Sequence, residues 1–201
     1  MSWRTGGAVC LLAWLGFGGS AAWACEEFVD LQQQELKEYR DKLIEQEADP
    51  LDRMFAFQQL VCSSNPVMRA YAVREGLKTA TDPIVRQQIM FDSMMLMTRL
   101  EIQLTAGPDA TQGDKNFIKE QSGVWVLPVA FLSREDGCLS FYTRDRCTID
   151  HAVFIKGDKV QFAYGRAVGE FYLSDTNELL GYVRVREGRD YGRIPAVIKL
   201  N

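Results

Sequence analysis

The sequence predicts an α+β fold. An N-terminal antiparallel helical segment of about four helices is expected over residues 25–98, packed on a C-terminal, mostly antiparallel β module over 99–201, a sandwich or rolled sheet. Three observations predict it. Apolar residues recur at helical spacing as far as about Met97 and at strand spacing beyond it. A helix-capping motif is repeated in the first part. Four cysteines fall two to each part. At 201 residues, with 47% hydrophobic and 25% charged side chains, the chain is long and apolar enough to bury a core, which excludes a disordered or low-complexity protein. A net charge of −4 and a pI near 5.2 argue against nucleic acid as a partner, because that needs a clustered positive surface.

The chain opens with MSWRTGGAVCLLAWLGFGGSAAWAC. Arg4 precedes an apolar run from Gly7 to Gly18, and small residues lead to Ala22-Trp23-Ala24. A basic tip, an apolar stretch and an A-x-A site have the form of a secretory signal peptide spanning residues 1–24. Competing readings are an uncleaved anchor over Thr5 to Ala24 and lipidation of Cys25. The signal reading implies a periplasmic or secreted protein with no stable membrane span after cleavage. Four cysteines then remain, Cys25, Cys62, Cys138 and Cys147. An even number in an exported chain reads as two disulfides, with three possible connectivities. Nearest-neighbour pairing, Cys25–Cys62 and Cys138–Cys147, keeps each bond inside one part. No C-x-x-C spacing points to zinc or redox chemistry.

In the helical segment, Phe28, Leu31, Leu36, Tyr39 and Leu43 form one broad apolar face. Asp49-Pro50-Leu51-Asp52-Arg53, Asn65-Pro66-Val67-Met68-Arg69 and Asp82-Pro83-Ile84-Val85-Arg86 then repeat a D/N-P-x-x-R form, 16 and 17 residues apart. Asp or Asn accepts from the first free N–H groups, and proline at the first helical position has its φ preset. Short, near-equal helices joined by tight turns pack as antiparallel neighbours. Residues 49–97 resemble HEAT-like helical repeats, whose helices often begin with Asp-Pro and carry an early Arg. That resemblance implies an interaction scaffold. The last of these helices, with Ile89, Met90, Phe91, Met94, Met95, Leu96 and Met97, is apolar nearly all round and is expected to be central. Met90, Met94 and Met97 share a face, which is also a copper(I)-binding pattern, but no His or Cys is close in sequence, so they read as core.

Strand patterning begins at Leu100-Glu101-Ile102-Gln103-Leu104. After a turn-rich loop and a short amphipathic piece to Gln121, strands are expected at 124–132, 138–143, 147–155, 160–165, 168–173, 179–185 and 195–200. Lys156-Gly157-Asp158-Lys159 suits a two-residue hairpin turn, which sets Ile155 opposite Val160, Val153 opposite Phe162 and His151 opposite Tyr164. Charge divides along the same boundary. Residues 25–122 carry 11 basic and 17 acidic side chains, whereas 123–201 carry 11 and 10.

No phosphate loop, nucleotide fingerprint, HExxH or GxSxG motif is present, so no cofactor, metal site or catalytic residue is assigned. The single histidine, His151, is expected as a structural hydrogen-bonding residue beside Tyr164. Asp150, Glu170, Asp175, Glu178, Glu187 and Asp190 are the carboxylates from which a glycoside hydrolase would have to be built. The segment 184–193 is the candidate recognition loop. Arg184, Arg186, Arg189 and Arg193 surround Tyr191 between two strands, and arginine forks onto carboxylate or phosphate while tyrosine stacks on a sugar or contacts a peptide. The expected function is that of an exported, non-enzymatic binding or assembly protein with a protein or glycan partner in the cell envelope. The alternative is an envelope-glycan-binding module or a carboxylate-dependent glycan hydrolase.

Overall fold

A computed structural model describes residue 25, residues 27–186 and residues 191–200. The signal-peptide assignment of residues 1–24 lies outside them. Four helices come first: α1 (Gln33–Ile44), α2 (Pro50–Val61), α3 (Pro66–Thr79) and α4 (Pro83–Met94). The sheet follows as β1 (Arg99–Leu104), helix α5 (Gln112–Glu120), β2 (Val124–Pro128), β3 (Phe131–Ser133), β4 (Cys138–Ser140), β5 (His151–Lys156), β6 (Lys159–Tyr164), β7 (Ala167–Leu173), β8 (Glu178–Val185) and β9 (Ile194–Lys199). The α+β reading holds, with a rolled sheet as the β module. Residues 28–32 precede α1 instead of opening it, and Val29 makes a parallel bridge with Ser63.

The repeated D/N-P-x-x-R motif has a physical meaning at both ends. Asp49 accepts from Leu51 N–H, Asn65 from Val67 and Met68, and Asp82 from Ile84 and Val85, with proline next in each case. The arginine reaches backwards. Arg69 donates to the carbonyls of Ser63 and Ser64 at 2.7 and 2.9 Å, and Arg86 donates to Leu77 at 2.7 Å. One motif therefore caps its own helix and ties down the chain leaving the previous one. Cys25–Cys62 staples the segment before α1 to the end of α2.

All nine strands form one antiparallel sheet in the order β2-β1-β9-β8-β7-β6-β5-β4-β3. It curls into a half-barrel. Trp125 on edge strand β2 meets Phe162 and Tyr164 on β6 at ring-centroid distances of 5.4 and 5.6 Å, although four strands lie between. The β5–β6 hairpin has the expected register, with Gly157 at φ +63° opening its turn.

Two strand expectations are corrected. The run 124–132 is two strands at opposite edges of the sheet. Pro128 has no N–H to continue a ladder, and the next two residues cross the seam: Val129 N–H donates to Thr98 and Ala130 N–H to Ser140. The strand expected from 147 begins at His151, because Cys147 is drawn away to Cys138 and Thr148 to Asp150 turn back. At Gly181 the sheet demands glycine. A Cβ on Gly181 would lie 2.0 Å from the Glu170 carbonyl oxygen on β7.

Buried side chains form one continuous cluster from the helices into the curl. Helix α4 sits at one end of the sheet, where the β3–β4, β5–β6 and β7–β8 turns meet it. Arg134 pairs with fully buried Asp92 at 2.9 Å, and Arg86 donates to the Ser174 carbonyl at 2.8 Å. Met90, Met94 and Met95 are buried there as core. No helix among the described residues is long and apolar enough to cross a membrane.

Candidate functional site

The opposite end of the curl is built by α5, the 143–150 loop, Arg186 after β8 and residues 191–193 before β9. Thr111 caps α5 by accepting from Asp114 N–H at 3.1 Å. The Asp114 carboxylate is buried and accepts twice, from Thr111 N–H and from Gly192 N–H, each at 2.9 Å. A Cβ on Gly192 would stand 3.0 Å from that carboxylate, so glycine permits the close approach. At the other side of the loop, Arg186 N–H donates to the Arg166 carbonyl at 2.7 Å. The candidate recognition loop is therefore held at both its ends.

A ladder of rings runs across the same end. Phe117 of α5 meets Trp125 edge-on at 5.4 Å, Trp125 meets Tyr164, and Tyr164 meets His151 edge-on at 5.3 Å. His151 then lies tilted against Tyr142, also at 5.3 Å, and Tyr142 is 73% exposed. Edge-on pairs set the positive rim of one ring against the negative face of the next. The expectation of a hydrogen bond for His151 is corrected: its ring is held by aromatic contact and makes no hydrogen bond among the described residues.

The Cys138–Cys147 bond draws the 143–150 loop back over the outer face of the sheet, where Ile149 lies beside Ala152. This explains why outward-facing Ser140 and Ala152 are buried. A groove of about 210 Å³ remains beside it, with Ala152, Ala163 and Val168 in its floor and Ile149 and Arg186 at its lips. Ile149 is 76% exposed. Arg186 lies 3.6 Å from Asp150, both well exposed, so the pair contributes roughly 0–1 kcal/mol.

The structure thus brings Arg186 to the Asp150–His151 neighbourhood. Arg184 shares the outer face with it, across the ladder from Val168 of the groove floor, and Arg193 stands farther along that face. These two stand one ladder step beyond the Val183–Ile194 pair, on the outer face, and Arg193 stacks over Tyr182 at 4.6 Å. Tyr191 is half-buried, and Arg189 lies outside the described residues, as do Glu187 and Asp190. Exposed Arg144 and Arg146 join this end from the disulfide loop. Sequence reasoning missed the ladder because its members come from α5, β2, β5, β6 and a loop. The available signal was Trp125, the only tryptophan beyond residue 24.

Of the candidate carboxylates, Asp150 and Glu170 serve as counter-ions. Glu170 accepts from Lys159 Nζ at 2.5 Å and from the Tyr172 hydroxyl, and the lysine hydrogen bond holds its pKa below the usual glutamate range. A glycosidic general acid needs the opposite shift. Among the described residues no group of three or more His, Cys, Asp and Glu side chains could hold a metal ion. No protein-family description, curated protein or solved structure matches the chain.

Proposed function

We propose that this is an extracytoplasmic binding protein that recognises an envelope protein or glycan with the α5 end of its curled sheet. The observation that carries the reading is the approach of Arg186 to Asp150, next to His151, which sets this arginine near an exposed aromatic step and a small-residue groove. Rings offer stacking area at low entropic cost, and arginine supplies directional hydrogen bonds. Hydrogen bonds hold Gly192 on Asp114 and Arg186 on the Arg166 carbonyl, which reduces the ordering cost at those two positions. The two disulfides and the A-x-A sequence before Cys25 support the extracytoplasmic compartment.

The test uses Trp125 as reporter, with the protein processed after Ala24. Titration with candidate envelope glycans, and with partners recovered by crosslinking in the native envelope, should change Trp125 emission. Tyr142→Ala combined with Arg186→Ala should weaken binding at least tenfold while thermal stability stays nearly constant, because exposed charges add roughly 0–1 kcal/mol each. Partner binding that is unaffected by both substitutions would remove this end as the site.

A further inference from the structure

A second concavity lies at the junction of helices and sheet, away from the arginine loop. We infer that it binds a small amphipathic anion, an apolar body carrying a carboxylate or phosphate head. The cleft measures about 380 Å³. That falls in the range of about 300–1,000 Å³ typical of small-molecule sites, which favour junctions between structural units.

Its two walls differ in chemistry. Val61 of α2, Ala70 and Val73 of α3, and Met97 before β1 make an apolar wall. Facing them are Arg99, Glu101 and Gln103 of β1 and Lys199 of β9. The cations are not equally available. Arg69, at the rim, is spent on the Ser63 and Ser64 carbonyls and covers the Phe28 ring at 4.4 Å. Arg99 and Glu101 neutralise each other at 2.6 Å. Lys199 is exposed, and although Glu178 is its cross-strand neighbour, it makes no ion pair among the described residues. The Gln103 amide is likewise without an intramolecular partner among them. An ammonium and an amide donor opposite an aliphatic wall fit a ligand with an anionic head and an apolar body. A neutral apolar ligand would leave the lysine unused, and a compact inorganic anion would leave the apolar wall wet.

The experiment is calorimetric titration of the processed protein with octanoate, octyl phosphate and octanol, with backbone NMR shifts of Gln103 and Lys199 as the site reporter. Saturable binding of either octyl anion, at least tenfold tighter than octanol, is expected, and the tighter of the two identifies the head group. Lys199→Glu should abolish anion binding. Ala70→Phe, on an exposed helix surface, should fill the cleft and weaken all three ligands without lowering the melting temperature. The inference is overturned if neither anion binds at millimolar concentration, if octanol binds as tightly, or if Lys199→Glu binds unchanged.

Discussion

At the α4 end of the curled sheet, Arg134 reaches a fully buried carboxylate on α4, and Arg86 bridges the end of α3 to a turn of the sheet. At the α5 end, Arg186 faces Asp150 in solvent and exposed Arg193 lies over the half-buried Tyr182 ring. The same side chain is thus used for cohesion at one end and presentation at the other. Burial decides which. A charge withdrawn from water has to be paired, and removing its partner strands it, whereas an exposed charge is hydrated with or without a partner. The aromatic residues follow the same gradient, from Phe162, 2% exposed inside the curl, to Tyr142, 73% exposed at the α5 end.

The largest expected effect tests the cohesive end. Asp92→Ala removes the partner of Arg134, one of whose guanidinium nitrogens is already buried without an acceptor. Stability should fall by about 3–5 kcal/mol in urea denaturation. Asp92→Leu with Arg134→Met should recover most of that loss, because a packed apolar pair bears no desolvation cost. A loss below about 1 kcal/mol would place that end with the exposed one.

The disulfides come next. On chain-entropy grounds, bonds separated by 37 and 9 residues contribute roughly 4 and 3 kcal/mol. Removing Cys25–Cys62 by paired Ala substitution should therefore cost more stability than removing Cys138–Cys147. The second bond should show its effect locally. Without it, hydrogen exchange at Ser140 and Ala152 should accelerate as the covering loop lifts, while α2 and α3 stay protected.

Asp114→Ala sharpens the comparison at the presenting end itself. It removes an acceptor from the N–H groups of Thr111 and Gly192, at a cost of about 1–3 kcal/mol. Exchange of the Gly192 amide should rise far more than exchange in α4. Loss of partner binding in a still-folded Asp114→Ala protein would show that the loop must be held in place to bind.

How much of this was legible in the sequence follows from the range of the interactions. The helix starts were readable because Asp49, Asn65 and Asp82 act on N–H groups two or three residues away. The β5–β6 register was readable because one turn sets it. The cut at Pro128 was missed because residues 124–132 form an unbroken apolar run, and only the closure of the curl shows that its halves belong to opposite edges. The arginine loop was visible as composition. Its division was not, since Arg193 is drawn to Tyr182 and Arg186 to Asp150 by neighbours 11 and 36 positions away. Asp92–Arg134 spans 42 positions and has no local signature.

The smallest effect concerns the outer face, where Lys159 and Glu170 pair in partial exposure. Their hydrogen bond lowers the Glu170 pKa and raises that of Lys159, and Tyr172 is raised by its own bond to Glu170. A depressed folded-state pKa gives a contribution that is complete above the ordinary glutamate value, about 4.3, and is lost as pH falls through the folded value. A raised lysine pKa gives one that is complete below the ordinary value, about 10.4, and is lost as pH rises through the folded value. The pair should therefore be silent from about pH 5 to 9, with its stability effect confined to acid and alkali. Carboxyl carbon NMR should place the Glu170 midpoint below 4.3, and Lys159→Ala should move it up towards that value, because the largest cause of the depression is gone. A Glu170 midpoint that stays low in Lys159→Ala would transfer the effect to Tyr172 and Arg193, which also favour the carboxylate. Arg193 would then act on two neighbours of the outer face, Tyr182 and Glu170, and its replacement would disturb that surface as well as the recognition loop.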